Sequence, residues 1–256
     1  MNKKKKETFT RSDIETSLRK EFPNLTKSEI TSAINIILES ITEAVALDEK
    51  VEIRGFGTFS KKCMVKIGSV AFNSMGHKII RLAAEKGFEI FLDLKLHDIP
   101  NTVKKSIKGL SSLPIKMLTI HTSGGKEMMK AAMEAASGTQ IKVFGVTALT
   151  SLNNDDTNQI FQRSTSEQVN AMLDLAEEAG IDGVVCSPHE LELVSKRNLL
   201  SITPGIRLQE SNDDQKRVMT PKKAIDLGAD YLVIGRPITG AKNISEILDK
   251  INRSIL

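Results

Sequence analysis

Seven short apolar runs, at 65–68, 90–95, 117–121, 143–149, 183–186, 200–203 and 231–234, alternate with longer stretches of helical periodicity. The helical stretches include 77–86, 126–136, 166–179 and 221–227. A run that is apolar at nearly every position has to be covered on both faces. Helices between successive strands supply that cover, and the arrangement that results is a parallel sheet. The expected fold class is α/β, and seven strands fall one short of a barrel of the TIM (β/α) type. Trp is absent and aromatics make up 4% of the chain, so the core must be largely aliphatic.

Before about residue 61 the texture differs. Thr10 and Asp13 fit a capping box, and Ile14, Leu18 and Phe22 recur at four-residue spacing until Pro23-Asn24 interrupts them. Thr26 and Glu29 form a second capping box ahead of Ile30, Ala33, Ile34, Ile37, Leu38 and Ile41 on one face. Val51-Glu52-Ile53-Arg54 alternates like a strand, Gly55-Phe56-Gly57 reverses the chain, and Thr58-Phe59-Ser60 starts back. The organisation expected is a small helical unit with a β-hairpin over 1–61 and a larger α/β unit over 62–256.

The net charge of +4 permits a nucleic-acid partner without requiring one. Lys3-Lys4-Lys5-Lys6 is followed by no apolar run, so it reads as a solvated tail able to add weak attraction to phosphates. Cys63 and Cys186 have neither metal spacing nor the number for a disulfide framework. A cytoplasmic protein with no membrane partner, no cofactor and no metal is the expectation.

Chemistry concentrates in Phe91-Leu92-Asp93-Leu94-Lys95-Leu96-His97-Asp98-Ile99-Pro100-Asn101-Thr102-Val103. In a strand, residues two apart share a face, so Asp93 and Lys95 point together. The C-terminal end of a barrel strand is where active sites are built. His97, His121 and His189 lack metal-ligand spacing and read as structural.

This block is similar to the signature of the orotidine 5'-phosphate decarboxylase family, and the resemblance continues along the chain. It runs through Val65-Lys66-Ile67-Gly68, Ile120-His121-Thr122-Ser123-Gly124-Gly125, Val146-Thr147-Ala148-Leu149-Thr150-Ser151, Val184-Val185-Cys186-Ser187, Pro204-Gly205-Ile206-Arg207, Asp214-Gln215 and Ile234-Gly235-Arg236-Pro237. It implies decarboxylation of orotidine 5'-phosphate to UMP and CO2, with no cofactor. Lys95 would stabilise charge at C6 and then protonate it, and Asp93 would lie beside the substrate carboxylate. Lys66 and Asp98 would complete the charge array, with Asp98 reaching across a homodimer. Lys66, Asp93, Thr102 and Thr150 would contact substrate, and Arg207, Gln215, Gly235 and Arg236 would serve its phosphate.

Residues 9–60 resemble the HU/integration-host-factor family of DNA-bending proteins, through Lys50-Val51-Glu52-Ile53-Arg54-Gly55-Phe56-Gly57-Thr58-Phe59 and the two preceding helices. The basic arm that such proteins insert into the minor groove has no counterpart after Ser60. Weak DNA binding through 1–61 is what remains of that implication. The decarboxylase resemblance begins at that family's second strand, so its first strand–helix unit and ribose-binding Asp are also unmatched. Asp48, after Val45-Ala46-Leu47, fits the end of the second N-terminal helix and its turn better than a missing strand. An inactive fusion product, or a DNA-binding protein with a vestigial barrel, are the competing readings.

Overall fold

Each of the seven apolar runs contributes a strand to one parallel sheet. In the computed structural model, which describes residues 16, 18–32, 34, 51–53, 57–59, 64–208 and 218–255, the chain divides into two units, Met1–Lys61 and Lys62–Leu256.

In the first unit residues 27–32 are helical. The expected cap is present: Thr26 Oγ1 accepts from the Glu29 N–H at 3.3 Å, and Glu29 Oε2 accepts from the Thr26 N–H at 2.8 Å. Strands β1 (Val51–Ile53) and β2 (Gly57–Phe59) pair antiparallel, with Val51 opposite Phe59. The capping box at Thr10 and Asp13, the helical face beyond residue 34, the turn at Gly55-Phe56, and Asp48 lie outside the described residues.

The sheet of the second unit runs in chain order through β3 (Met64–Gly68), β4 (Glu89–Leu96), β5 (Ile115–His121), β6 (Lys142–Val146), β7 (Gly183–Val185), β8 (Leu200–Thr203) and β9 (Tyr231–Leu232). Every neighbouring pair is parallel. Among the described residues β3 and β9 are each paired along one edge. The connections carry α1 (Ser69–Met75), α2 (His77–Glu85), α3 (Pro100–Leu110), α4 (Lys126–Ala136), α5 (Asn154–Phe161), α6 (Thr165–Ala179), α7 (Leu191–Val194) and α8 (Pro221–Asp226); α9 (Arg236–Thr239) and α10 (Ile244–Ile255) follow β9.

Three strands end earlier than their apolar runs, β7 by the single residue Cys186. The run at 143–149 leaves the sheet after Val146, where the N–H and hydroxyl of Thr147 both donate to the Val185 carbonyl, the last of β7. The run at 231–234 pairs as a ladder through Leu232, and the Val233 N–H still donates to the carbonyl of Thr203, the last residue of β8.

Alternation sorts the side chains onto two faces. Ile90, Leu92, Leu118, Ile120, Val143 and Val184 join the larger core, which also includes Val103 and Ile107 of α3, Met128 and Met129 of α4, and Leu173 of α6. Phe91, Met117, Phe144 and Ile202 form a smaller core on the other face, with Tyr231 and Val233 against it. The Phe144 and Tyr231 rings meet edge-on with centroids 6.3 Å apart. They belong to strands three places apart, which a flat sheet would hold about 14 Å from each other. The sheet is therefore curled around this second core.

Gly183 is the close point of that curl. A β-carbon there would lie 2.3 Å from the Leu200 carbonyl oxygen and 2.7 Å from Phe144 Cε1. Gly183→Ala should lose about 1–3 kcal/mol in urea unfolding, the usual cost of overpacking a fixed core. An unchanged midpoint and slope would mean that β7 and β8 part without loss.

Candidate active site

Asp93 and Lys95 reach one cavity because β4 does not keep a regular register there. Leu92 pairs with Leu118 and Leu96 with Ile120, so Asp93, Leu94 and Lys95 together face the single residue Thr119 of β5. Lys95 occupies the left-handed region at φ 52°, uncommon for a side chain with a β-carbon. A bulge of this kind re-aims side chains beside a site. Simple alternation accounts for the shared face of the two residues but not for this distortion.

Asp93 is 7% exposed, and its carboxylate is engaged on both oxygens. Lys95 Nζ donates to Oδ1 and Oδ2, each at 2.8 Å, and Lys66 Nζ donates to Oδ2 at 3.0 Å. Thr119 Oγ1 donates to Oδ1 at 2.9 Å and accepts from the Lys95 backbone N–H at 2.9 Å. Burial pushes the Asp93 carboxyl upward, and the hydrogen bond from Lys95 with the charges of Lys66 and Lys95 more than offsets it. The net effect holds Asp93 below the ordinary carboxylate value.

One cavity of about 340 Å³ is lined by Lys66, Asp93, Lys95, Thr150, Arg207, Gly235 and Arg236, and these seven expected residues are thus brought together. Lys66 comes from within β3, Asp93 and Lys95 from the second half of β4, and the others from segments beyond the C-terminal ends of β6, β8 and β9. Phe91, Val146, Val185 and Val233 add apolar wall. Arg207 is buried at 7% exposure, with Nη1 donating to the Ile206 carbonyl at 2.9 Å. Arg236 opens α9 directly after Gly235.

Two expected residues stand elsewhere in this chain. Asp98 is exposed and its Oδ1 accepts the Ile99 N–H at 2.7 Å, ahead of α3. Thr102 is exposed in the first turn of α3 and does not line the cavity. Gln215 lies outside the described residues. Thr119 escaped the sequence reading, although a hydroxyl inside Met117-Leu118-Thr119-Ile120 was a visible irregularity. Cys186 also lines the cavity; burial pushes its thiol up to about 12, which keeps it protonated and unreactive.

His121 ends β5 with its ring centroid 5.2 Å from that of His97. Burial, then the charges of His97 and Lys95, lower its pKa, with Asp93 opposing.

A parallel sheet whose strands end in an ion-paired cavity defines an α/β enzyme of the strand-end type. Residues 58–251 match the family described as Orotidine 5'-phosphate decarboxylase / HUMPS, and the chain belongs to that family. It is 43% identical over 203 residues to the orotidine 5'-phosphate decarboxylase of Wolbachia pipientis, covering 78% of this chain and 90% of that one. With the enzyme of Actinobacillus succinogenes the identity is 43% over 233 residues, 88% of this chain and 98% of that one, so this match reaches into the first unit. Among solved structures, the Lactobacillus acidophilus orotidine 5'-phosphate decarboxylase superposes with a TM-score of 0.65 at 35% identity, covering 75% of this chain and 86% of that one. The Thermotoga maritima enzyme gives 0.58 at 29% identity over 74% and 85%. Residues 9–68 match the family described as bacterial DNA-binding protein. Among the described residues no helix is long and apolar enough to cross a membrane.

The depressed His121 pKa fixes the sign of a pH effect. Stability is fully present above the unfolded value near 6.5 and is lost as pH falls through the lower folded value. The fall in Tm between pH 7 and pH 5 should be shallower in His121→Gln than in the native chain; equal slopes would remove His121 as the cause.

Proposed function

We propose that this chain decarboxylates orotidine 5'-phosphate to UMP. The observation that carries the reading is the Asp93 carboxylate held by Lys66 and Lys95 at 2.8–3.0 Å in a cavity that also holds Arg207 and Arg236. The arginines suit a phosphate dianion, which charge-assisted hydrogen bonds bind well. Binding energy from that remote group is available to order the reacting end.

In this reading the C6–carboxylate bond breaks, CO2 leaves, and the electron pair stays on C6. The ammonium of Lys95 stabilises that carbanion electrostatically and then transfers a proton from Nζ to C6, giving UMP. Solvent reprotonates the amine. Asp93 lies beside the substrate carboxylate, where repulsion falls as CO2 departs. Asp93 also aims Lys95, and Lys66 holds the same carboxylate through Oδ2. Thr150 contacts the substrate from the loop after β6, and the Gly235 N–H and Gln215 join the phosphate end.

Asp98 points to a homodimer. Its exposure, with Ile99 66% exposed next to it and Thr102 exposed in the same turn, suits residues that complete a neighbour's site. We read residues 62–256 as a TIM-type barrel lacking its first strand–helix unit, with β3 and β9 at the two ends of the sheet order among the described residues, and residues 1–61 as a truncated HU-like segment.

Loss of orotidine 5'-phosphate absorbance tests the chemistry. The native chain should turn over substrate and Lys95→Ala should not; a Lys95→Ala chain of native rate would sink the assignment. Lys95→Ala and Asp98→Ala chains, each inactive alone, should recover about a quarter of native activity when mixed, since random pairing in a symmetric dimer restores one site in four. An Asp98→Ala chain of native rate would place Asp98 outside the site, and an inactive one that gives no recovery would make it serve its own subunit's site.

A second reading concerns the N-terminal unit, which the match at 9–68 favours as a DNA-attachment segment. Binding of a short duplex by the full chain should then weaken steeply with salt, as phosphate contacts do. Absence of a shift at low salt would remove this reading.

A further inference from the structure

Thr119 occupies the gap that the β4 bulge creates. Three residues of β4 face it alone, and the Lys95 N–H is turned out of the regular ladder by its positive φ. A buried N–H without a partner is costly, so some acceptor has to stand there. The Thr119 hydroxyl is that acceptor, at 2.9 Å, and the side chain is fully buried. The single hydroxyl proton is thereby left for the Asp93 carboxylate, also at 2.9 Å. One oxygen therefore ties the backbone of the lysine to the carboxylate that the lysine's own ammonium grips.

We infer that Thr119 is a positioning residue for the decarboxylation proposed above, fixing the backbone turn at Lys95 and the rotamer of Asp93 through one buried hydroxyl. The inference rests on that catalytic reading for its consequence, though not for its geometry. Neither Lys66 nor Lys95 can do this work. Their side chains are more than a third exposed, and both approach Asp93 through long flexible stems. Thr119 instead stands on a central strand with β4 on one side and β6 on the other. Its short β-branched side chain is stiff at χ1.

The test compares Thr119→Val, which keeps the shape without the hydroxyl, with Thr119→Ser, which keeps the hydroxyl. Melting curves first establish that both are folded. Thr119→Val should lower kcat about 10- to 100-fold, the scale of a small misplacement at a reacting centre, with KM within about twofold. Thr119→Ser should return kcat to within about threefold of native. The Asp93 carboxyl, followed by carbon NMR, should titrate at higher pH in Thr119→Val than in Thr119→Ser, because a donor to the carboxylate is gone. A folded Thr119→Val chain with native kcat overturns the inference. If the native chain shows no turnover, the decarboxylase reading fails on its own and the titration decides for Thr119: a rise upholds its hold on Asp93, and no rise overturns it. Should Thr119→Val fail to fold, Thr119→Ala is titrated against Thr119→Ser by the same criterion.

Discussion

A buried carboxylate tolerates an apolar surrounding only when its oxygens are answered by charge and hydrogen bonds. Asp93 is answered by two ammoniums and a hydroxyl, drawn from three adjacent strands. Each partner comes from a different place in the sequence, so the array exists only once β3, β4 and β5 are in register. Folding of the sheet and assembly of the charge cluster are in this sense the same event. The cluster also explains why β4 departs from regular geometry: a straight strand would give Lys95 an ordinary ladder position, whereas the bulge turns its N–H to Thr119.

The two faces of the sheet divide the labour. Aliphatic residues beneath the helices supply bulk burial, and the inner face ends in a few rings beneath the cavity. Phe91 takes part in both, since it packs with Met117 and Phe144 below and forms cavity wall above. Arg207 and Arg236 come from segments after β8 and β9 and line the same cavity as the β3 and β4 charges.

Much of this was legible beforehand because the parallel sheet writes itself as apolar runs. The run at 200–203 coincides with β8, and α4 coincides with its periodic stretch. The charged block showed Asp93 and Lys95 on one face. What could not be read was the bulge, since Asp93-Leu94-Lys95 contains no Gly or Asn to announce a positive φ. Thr119 stood out as a hydroxyl in an apolar run, but its partner Asp93, 26 positions away, did not show. The helix α3 begins at Pro100 inside the charged block, whose polar residues blur the apolar spacing of Val103, Ile107 and Leu110. Asp98 and Thr102 are exposed and stand away from the cavity in this chain, a placement that a pattern of residue types does not reveal.

The strand that carries Lys66 has a ladder on one side only among the described residues, whereas the strands of Asp93 and Thr119 have ladders on both. Local opening begins where backbone hydrogen bonds are fewest. The three-stranded charge array is thus moored firmly at two points and lightly at the third. Fraying of β3 would swing one ammonium out while the other stays, leaving Asp93 with a single counter-ion. The electrostatic balance of the cavity is therefore coupled to the breathing of one edge of the sheet.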